Sequence, residues 1–246
     1  MQQISKIRID QLLVNKKIVD SRNKAKALVE KGHVYIDEKK IDKASREVNI
    51  NSEIKIEGIE TMWVARSYIK LLHAIKHWQI SVENFVCLDI GASTGGFCQV
   101  LLENGAKKIY ALDVGHNQLH ESINNDERVI NIEGFNAREI DETTIPEKLD
   151  FICMDVSFIS IQHVIPKLKM LLKENRKIIT LFKPQFEVGK KYVDKNGVVK
   201  NKIATKIALE EVYECIKESG LKLMDTCKSP IKGSQGNEEY LILIQN

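Results

Sequence analysis

A chain of 246 residues, 43% hydrophobic and 29% charged, has enough apolar volume for one large domain and a small one, and reads as a soluble globular protein. No uncharged apolar run approaches the roughly 18 residues that span a bilayer, and the first residues lack the apolar segment of a secretory leader, so a membrane partner is excluded and a cytoplasmic location expected. The net charge of +3 is unevenly spread: residues 1–60 hold 13 Lys plus Arg against 10 Asp plus Glu, and the remainder 24 against 24.

In chain order, residues 8–16 place Ile9, Leu12 and Leu13 at helical spacing, and Ser21 offers an N-cap for a second helix that turns Ala25, Leu28 and Val29 inward and ends at Gly32. Short strands follow around Val34-Tyr35-Ile36, Ile41, Val48, Ile50, Ile54 and Ile56. The basic residues crowd before Lys40, as on a surface facing a phosphate backbone, although a solvated lysine-rich helix face would look the same. Residues 1–58 are therefore taken as a small domain. Residues 59–65 show no convincing period and are taken as a linker, with the large domain over 66–246.

A helix from Ser67 carries Tyr68, Leu71, Leu72 and Ile75. After it strands and helices alternate: strands over 85–90, 108–113, 129–133, 151–156, 177–182, 224–228 and 239–244, helices over 97–104, 164–172 and 204–218. Such alternation predicts an α/β domain, a doubly wound, mostly parallel sheet with helices on both faces. Ligands of open α/β sheets lie beyond the carboxyl ends of the strands, at the switch point. The segments there are Asp89 to Gly96, Asp113, Phe135-Asn136-Ala137-Arg138, Asp155-Val156-Ser157-Phe158 and Lys183-Pro184-Gln185-Phe186-Glu187.

The first of these, Asp89-Ile90-Gly91-Ala92-Ser93-Thr94-Gly95-Gly96-Phe97, joins an apolar strand to a helix through an acid and a glycine-rich turn, which lets a nucleotide-like ligand lie against bare backbone. No Lys follows the glycines as in a phosphate loop, and the spacing is not G-x-G-x-x-G, so a ligand without a pyrophosphate is favoured. Asp113, 24 residues after Asp89, suits a carboxylate on ribose hydroxyls. Together they ask for an adenosyl ligand such as S-adenosylmethionine, while an ordinary tight strand-to-helix connection fits these two segments alone.

Lys183 ends the apolar strand Ile178-Ile179-Thr180-Leu181-Phe182 and is partly desolvated, as a general base requires, with Asp155 at the end of a neighbouring strand to hold it. Lys70 and Glu239 could reach the same mouth, but on their own read as surface residues.

Two resemblances sharpen this. Arg8-Ile9-Asp10-x-x-Leu13, Ser21-Arg22-x-x-Ala25 and Gly32-His33-Val34-Tyr35-Ile36-Asp37 resemble the S4 RNA-binding domain, a small α+β fold. Arg66-x-x-x-Lys70-Leu71, the Asp89–Phe97 turn, Asp113-Val114-Gly115-x-x-Gln118-Leu119, Asp155-Val156-Ser157-Phe158-Ile159-Ser160 and Lys183-Pro184-Gln185-Phe186-Glu187 stand in the order seen in FtsJ-type catalytic domains. The whole is similar to the TlyA family, haemolysin-A-like ribosomal RNA 2'-O-methyltransferases. The resemblance implies a Rossmann-like class I methyltransferase domain using S-adenosyl-L-methionine on ribosomal RNA or ribosomal subunits, with cytidine ribose as acceptor.

By position, it implies a catalytic tetrad of Lys70, Asp155, Lys183 and Glu239, with Glu239 preferred to Glu238. It implies cofactor contacts from Asp89, Gly91, Ser93, Thr94, Gly95, Gly96, Asp113, Asn136, Ala137 and Asp155, and RNA contacts from Arg8, Arg22, Lys24, Lys26, Lys31 and Arg66. No metal is called for, since the five scattered cysteines form no Cys-x-x-Cys pair and read as buried small hydrophobes. The rival readings are a non-catalytic RNA-binding or assembly factor, a small-molecule methyltransferase and a pore-forming haemolysin. The last would need a lipid-entering segment that the sequence does not show.

Overall fold

The computed structural model describes residues 6–16, 18–19, 22–57 and 63–246, and of Lys24 only the backbone. The chain divides into two compact units, Met1–Met62 and Trp63–Asn246. In the first, β1 (Lys6–Arg8) leads into α1 (Ile9–Asn15), followed by α2 (Arg22–Glu30), β2 (Val34–Ile36), β3 (Lys39–Lys40), β4 (Glu47–Asn49) and β5 (Ile54–Ile56). β1 pairs with β4, and β2 lies between β3 and β5. Ile9, Leu12, Leu13, Ala25, Leu28 and Val29 from the two helices close on Val34, Ile36, Ile41 and Val48 in one small core. Gly32 ends α2 at φ +75°, a conformation a side chain resists. The Ser21 cap lies outside the described residues.

The second unit runs α3 (Tyr68–His77), β6 (Val86–Ile90), α4 (Gly96–Glu103), β7 (Lys108–Leu112), α5 (Glu121–Asn124), β8 (Val129–Ile132), β9 (Leu149–Met154), α6 (Ile165–Leu171), β10 (Leu172–Phe182), α7 (Pro184–Glu187), α8 (Lys202–Glu218), β11 (Lys222–Lys228) and β12 (Tyr240–Gln245). Its seven strands lie in the order β11-β12-β10-β9-β6-β7-β8, parallel except that β12 is antiparallel to both β10 and β11. Every residue of β6 and β9 is buried, as in strands covered on both faces, whereas no residue of the edge strands β8 and β11 is fully buried. Alternate residues feed two cores. Leu88, Ile90, Ile152, Met154 and Ile178 meet α6 and α8, and Cys87, Phe151, Cys153, Ile179 and Leu181 meet α3 and α4.

The linker reading of 59–65 needs correction at its far end. Trp63 stacks on Tyr68 at 4.0 Å between ring centroids, and the Val64 amide donates to Gln99 Oε1 at 2.9 Å, so residues 63–65 are part of the second unit. Residues 59–62 lie outside the described residues.

Candidate active site

Strand register brings the chemistry together. Ile90 and Met154 pair across β6 and β9, so Gly91 and Asp155 leave the sheet at the same end, with the Asp155 amide still bonded to the Ile90 carbonyl at 2.9 Å. Phe182 pairs with Tyr240 across β10 and β12, so the next residue outward on each strand, Lys183 and Glu239, emerges beside its counterpart. Lys70 reaches the same place from the first turns of α3.

The result is a chain of buried charges. Glu239 Oε2 lies 2.7 Å from Lys70 Nζ, which lies 3.3 Å from Asp155 Oδ2, and Asp155 Oδ1 lies 2.5 Å from Lys183 Nζ. Lys183 also donates to Ser157 Oγ at 2.9 Å. Lys70, Lys183 and Glu239 are 7%, 8% and 3% exposed. Two cations and two carboxylates alternate, so each buried charge has a counter-ion, the condition under which such groups are tolerated. Glu238 is exposed and pairs with Lys228 instead. At Gly233 a methyl would press on Glu239 Oε1, so the loop before β12 lies directly against that carboxylate.

Around the glycine turn the predicted residues separate. Gly91, at φ +84°, faces the Asp155 backbone, where a methyl would stand 2.6 Å from the carbonyl oxygen. Ser93, at φ +49°, and Thr94 are exposed. Asp113 caps the strand ends, accepting from the amides of Ser93 and Gly115, both at 2.8 Å. Asn136 caps the short turn beginning at buried Ala137 through the Arg138 amide, 3.1 Å. Gly95 and Gly96 answer to packing: added methyls would press on Leu119 and Ile123 and strike Ser67 Oγ, so only their backbones can face a ligand.

Asp89 is fully buried on the α4 side of β6, its Oδ2 accepting from the Cys98 thiol at 3.1 Å and its Oδ1 without a hydrogen-bond partner. It supports the turn from beneath, and no part of its surface is open. Burial, reinforced by nearby Asp155, pushes its carboxyl up to about 7. The folded state therefore holds a proton that the unfolded state, at the ordinary value of 3.8, releases first. Stability from this group is complete below about pH 3.8 and is lost as pH rises through about 7. Urea midpoints of the wild type and Asp89→Asn, followed from pH 4 to 8, should diverge with the wild type losing ground; parallel curves would contradict the assignment.

Sequence reasoning leaves three features of the site without a role. Ser157 bonds Lys183 directly. Glu187 Oε2 accepts from Ser160 Oγ at 2.6 Å and Oε1 from the Ile161 amide at 2.9 Å, tying the loop after β9 to α7. Phe158, 86% exposed at φ +65°, meets Phe186 at 5.3 Å, and the Phe186 ring lies 6.0 Å from Lys183 Nζ. A large apolar side chain in that conformation and exposure is what a ligand-facing position shows, and only the motif around it signals it in sequence.

Of the expected RNA contacts, Arg8 and Arg22 converge on buried Asp10, with bonds of 3.0 and 2.8 Å, and hold that carboxyl down at about 2. The fork fixes two half-exposed guanidinium groups side by side. Lys26 pairs with Glu30 at 3.6 Å, and Lys31 is exposed. Arg66 is exposed on the second unit and donates to the Lys232 carbonyl at 3.4 Å.

Comparison with known proteins identifies the family. The FtsJ-like methyltransferase family model matches residues 63–246 and the S4 domain model residues 7–54. The chain belongs to the TlyA family of FtsJ-like methyltransferases. It is 39% identical over 237 residues to Hemolysin A of Brachyspira hyodysenteriae, covering 96% of this chain and 98% of that one. It is 40% identical to the 23S rRNA (cytidine-2'-O)-methyltransferase TlyA of Campylobacter jejuni, covering 92% and 95%. To the 16S/23S rRNA (cytidine-2'-O)-methyltransferase TlyA of Mycobacterium tuberculosis it is 36% identical, covering 97% and 89%.

Proposed function

We propose that the protein transfers a methyl group from S-adenosyl-L-methionine to the 2'-hydroxyl of a cytidine ribose in ribosomal RNA, in the cytoplasm. The observation that carries this is the buried Lys70–Asp155–Lys183–Glu239 chain at the strand ends, one residue from the glycine turn at Gly91. A binding platform has no need of three buried charges paired through a fourth, since desolvation costs several kcal/mol per buried ion before pairing.

The residues fit the cofactor. Gly91 lets the turn lie against the Asp155 backbone where no side chain would fit, each Asp113 oxygen accepts one amide and keeps capacity for a ribose hydroxyl, and Asn136 Nδ2 is left to donate beside Ala137. Gly95, Gly96 and Asp89 act by shaping the turn. When bound, the cofactor supplies an electrophilic methyl group. Lys183 Nζ is the group placed to take the proton of the 2'-hydroxyl as the oxygen attacks. Asp155 and Ser157 aim Lys183, while Lys70 and Glu239 hold Asp155 from the far side. Orientation and fixed charges contribute most of the acceleration.

Phe158 and Phe186 offer an aromatic face beside Lys183, on which the base of the acceptor nucleotide can stack. The S4 domain and the Arg8–Asp10–Arg22 fork favour RNA over a small acceptor. A pore-forming role draws no support from the fold, in which no described helix is long and apolar enough to cross a membrane.

The test is transfer of labelled methyl to purified, undermodified small and large ribosomal subunits, followed by alkaline hydrolysis. Label in an alkali-resistant dinucleotide marks a methylated ribose, whereas label released in mononucleotides, or no transfer to either subunit, rejects the proposal.

A further inference from the structure

Beside the charge chain, on the β10–β12–β11 side of the sheet, lies a groove of about 500 Å³. Five exposed lysines line it: Lys200, Lys202, Lys206, Lys228 and Lys232. Two are compensated, Lys228 by Glu238 at 3.4 Å and Lys200 by Asp194 at 3.2 Å. Lys202, Lys206 and Lys232 make no ion pair with any described residue. Lys202 and Lys206 are moreover four apart on α8, a like-charge spacing that weakens a helix, so folding gains nothing from them.

The groove continues the site. Its walls include Pro184, which follows Lys183, Glu238 and Tyr240, which flank Glu239, and Asn237, whose buried amide clasps the Val199 amide and the Gly197 carbonyl at 2.8 Å each. Along the sheet the order is therefore the glycine turn and Asp113 at β6 and β7, the four charges at β9, β10 and β12, and the lysine groove at β12 and β11. A polyanion whose ribose sits at the middle station has its adjoining phosphates carried toward the third. Arg66, held to the Lys232 carbonyl, adds a guanidinium to the same wall.

Building on the reading of the protein as an RNA methyltransferase, we propose that this groove binds the sugar-phosphate backbone of the substrate RNA next to the target nucleotide, with Lys202, Lys206 and Lys232 neutralising its phosphates. Each phosphate neutralised releases counterions, so affinity carries a salt dependence that counts these contacts.

The combined variant Lys202→Gln, Lys206→Gln, Lys232→Gln removes charge at exposed positions, and unchanged S-adenosylmethionine binding verifies its fold. Its affinity for protein-free ribosomal RNA should fall about tenfold or more, and the slope of log affinity against log salt should become shallower by about 2. Its KM for undermodified subunits should rise in parallel, and arginine at the three positions should restore all three readings. Unchanged affinity and slope overturn the inference. So does a loss seen with intact subunits but not with protein-free RNA, which would assign the groove to a ribosomal protein. If the wild type transfers no methyl to ribose, the functional reading fails, and the RNA-binding measurement still decides the groove.

Discussion

Replacing Lys183 by alanine is expected to slow methyl transfer by about 10²- to 10⁴-fold, the usual contribution of a positioned proton acceptor, while S-adenosylmethionine still binds. The change leaves the rest of the charge chain in place: Asp155 keeps Lys70 at 3.3 Å, and Lys70 keeps Glu239 at 2.7 Å. Loss of rate thus cannot be put down to a collapsed site, and single-turnover rates with a saturating ribosomal subunit read the chemistry directly. Ser157→Ala removes only the second bond to Lys183 and should cost far less. A Lys183→Ala enzyme within a few-fold of the wild type would mean that another group, or solvent, accepts the proton.

Lys70 presents the opposite balance of effects. It is the only cation among the described residues within ion-pair distance of Glu239, whose side chain is 2% exposed. Lys70→Met strands a buried carboxylate, at a cost of about 3–5 kcal/mol, which should lower the melting temperature of the catalytic unit by roughly 10 °C. Removing both charges, as Lys70→Met with Glu239→Leu, should recover most of that loss, because apolar residues of similar volume replace a buried pair at little or no cost. The double variant should nevertheless transfer no methyl. Melting curves and transfer assays on the two variants separate stability from catalysis. A single variant that melts with the wild type would show that the pair is solvated in solution.

Much of this site is legible in the sequence because each part sits where an apolar strand ends. The runs Val86–Ile90 and Leu149–Met154 announce buried parallel strands, and the acids, glycines and lysine that follow mark the ligand side of the sheet. Lys70 and Glu239 are different. Nothing local distinguishes a helix lysine that is 7% exposed from one in solvent, and only the family pattern raises them. Asp89, Gly95 and Gly96 look like ligand residues in a string of letters, but packing against Cys98, Ile123 and Ser67 is visible only once α4 is laid on the sheet. The four-residue helices α5 and α7 are too short to show a period, and the lysine groove joins positions from β11, α8 and two loops.

The position of β12 has a consequence for biosynthesis. Glu239 enters on the strand that slots between β10 and β11, whereas the glycine turn, Lys70, Asp155 and Lys183 all precede it in the chain. A nascent or truncated polypeptide lacking β12 can possess the N-terminal unit and the turn, yet it has neither a closed sheet nor the Glu239 carboxylate that pairs with Lys70 at 2.7 Å. Pairing of such distant segments comes late and slowly in folding. Catalytic competence is thereby coupled to the arrival of β12, and a chain that stops short of that strand is silent.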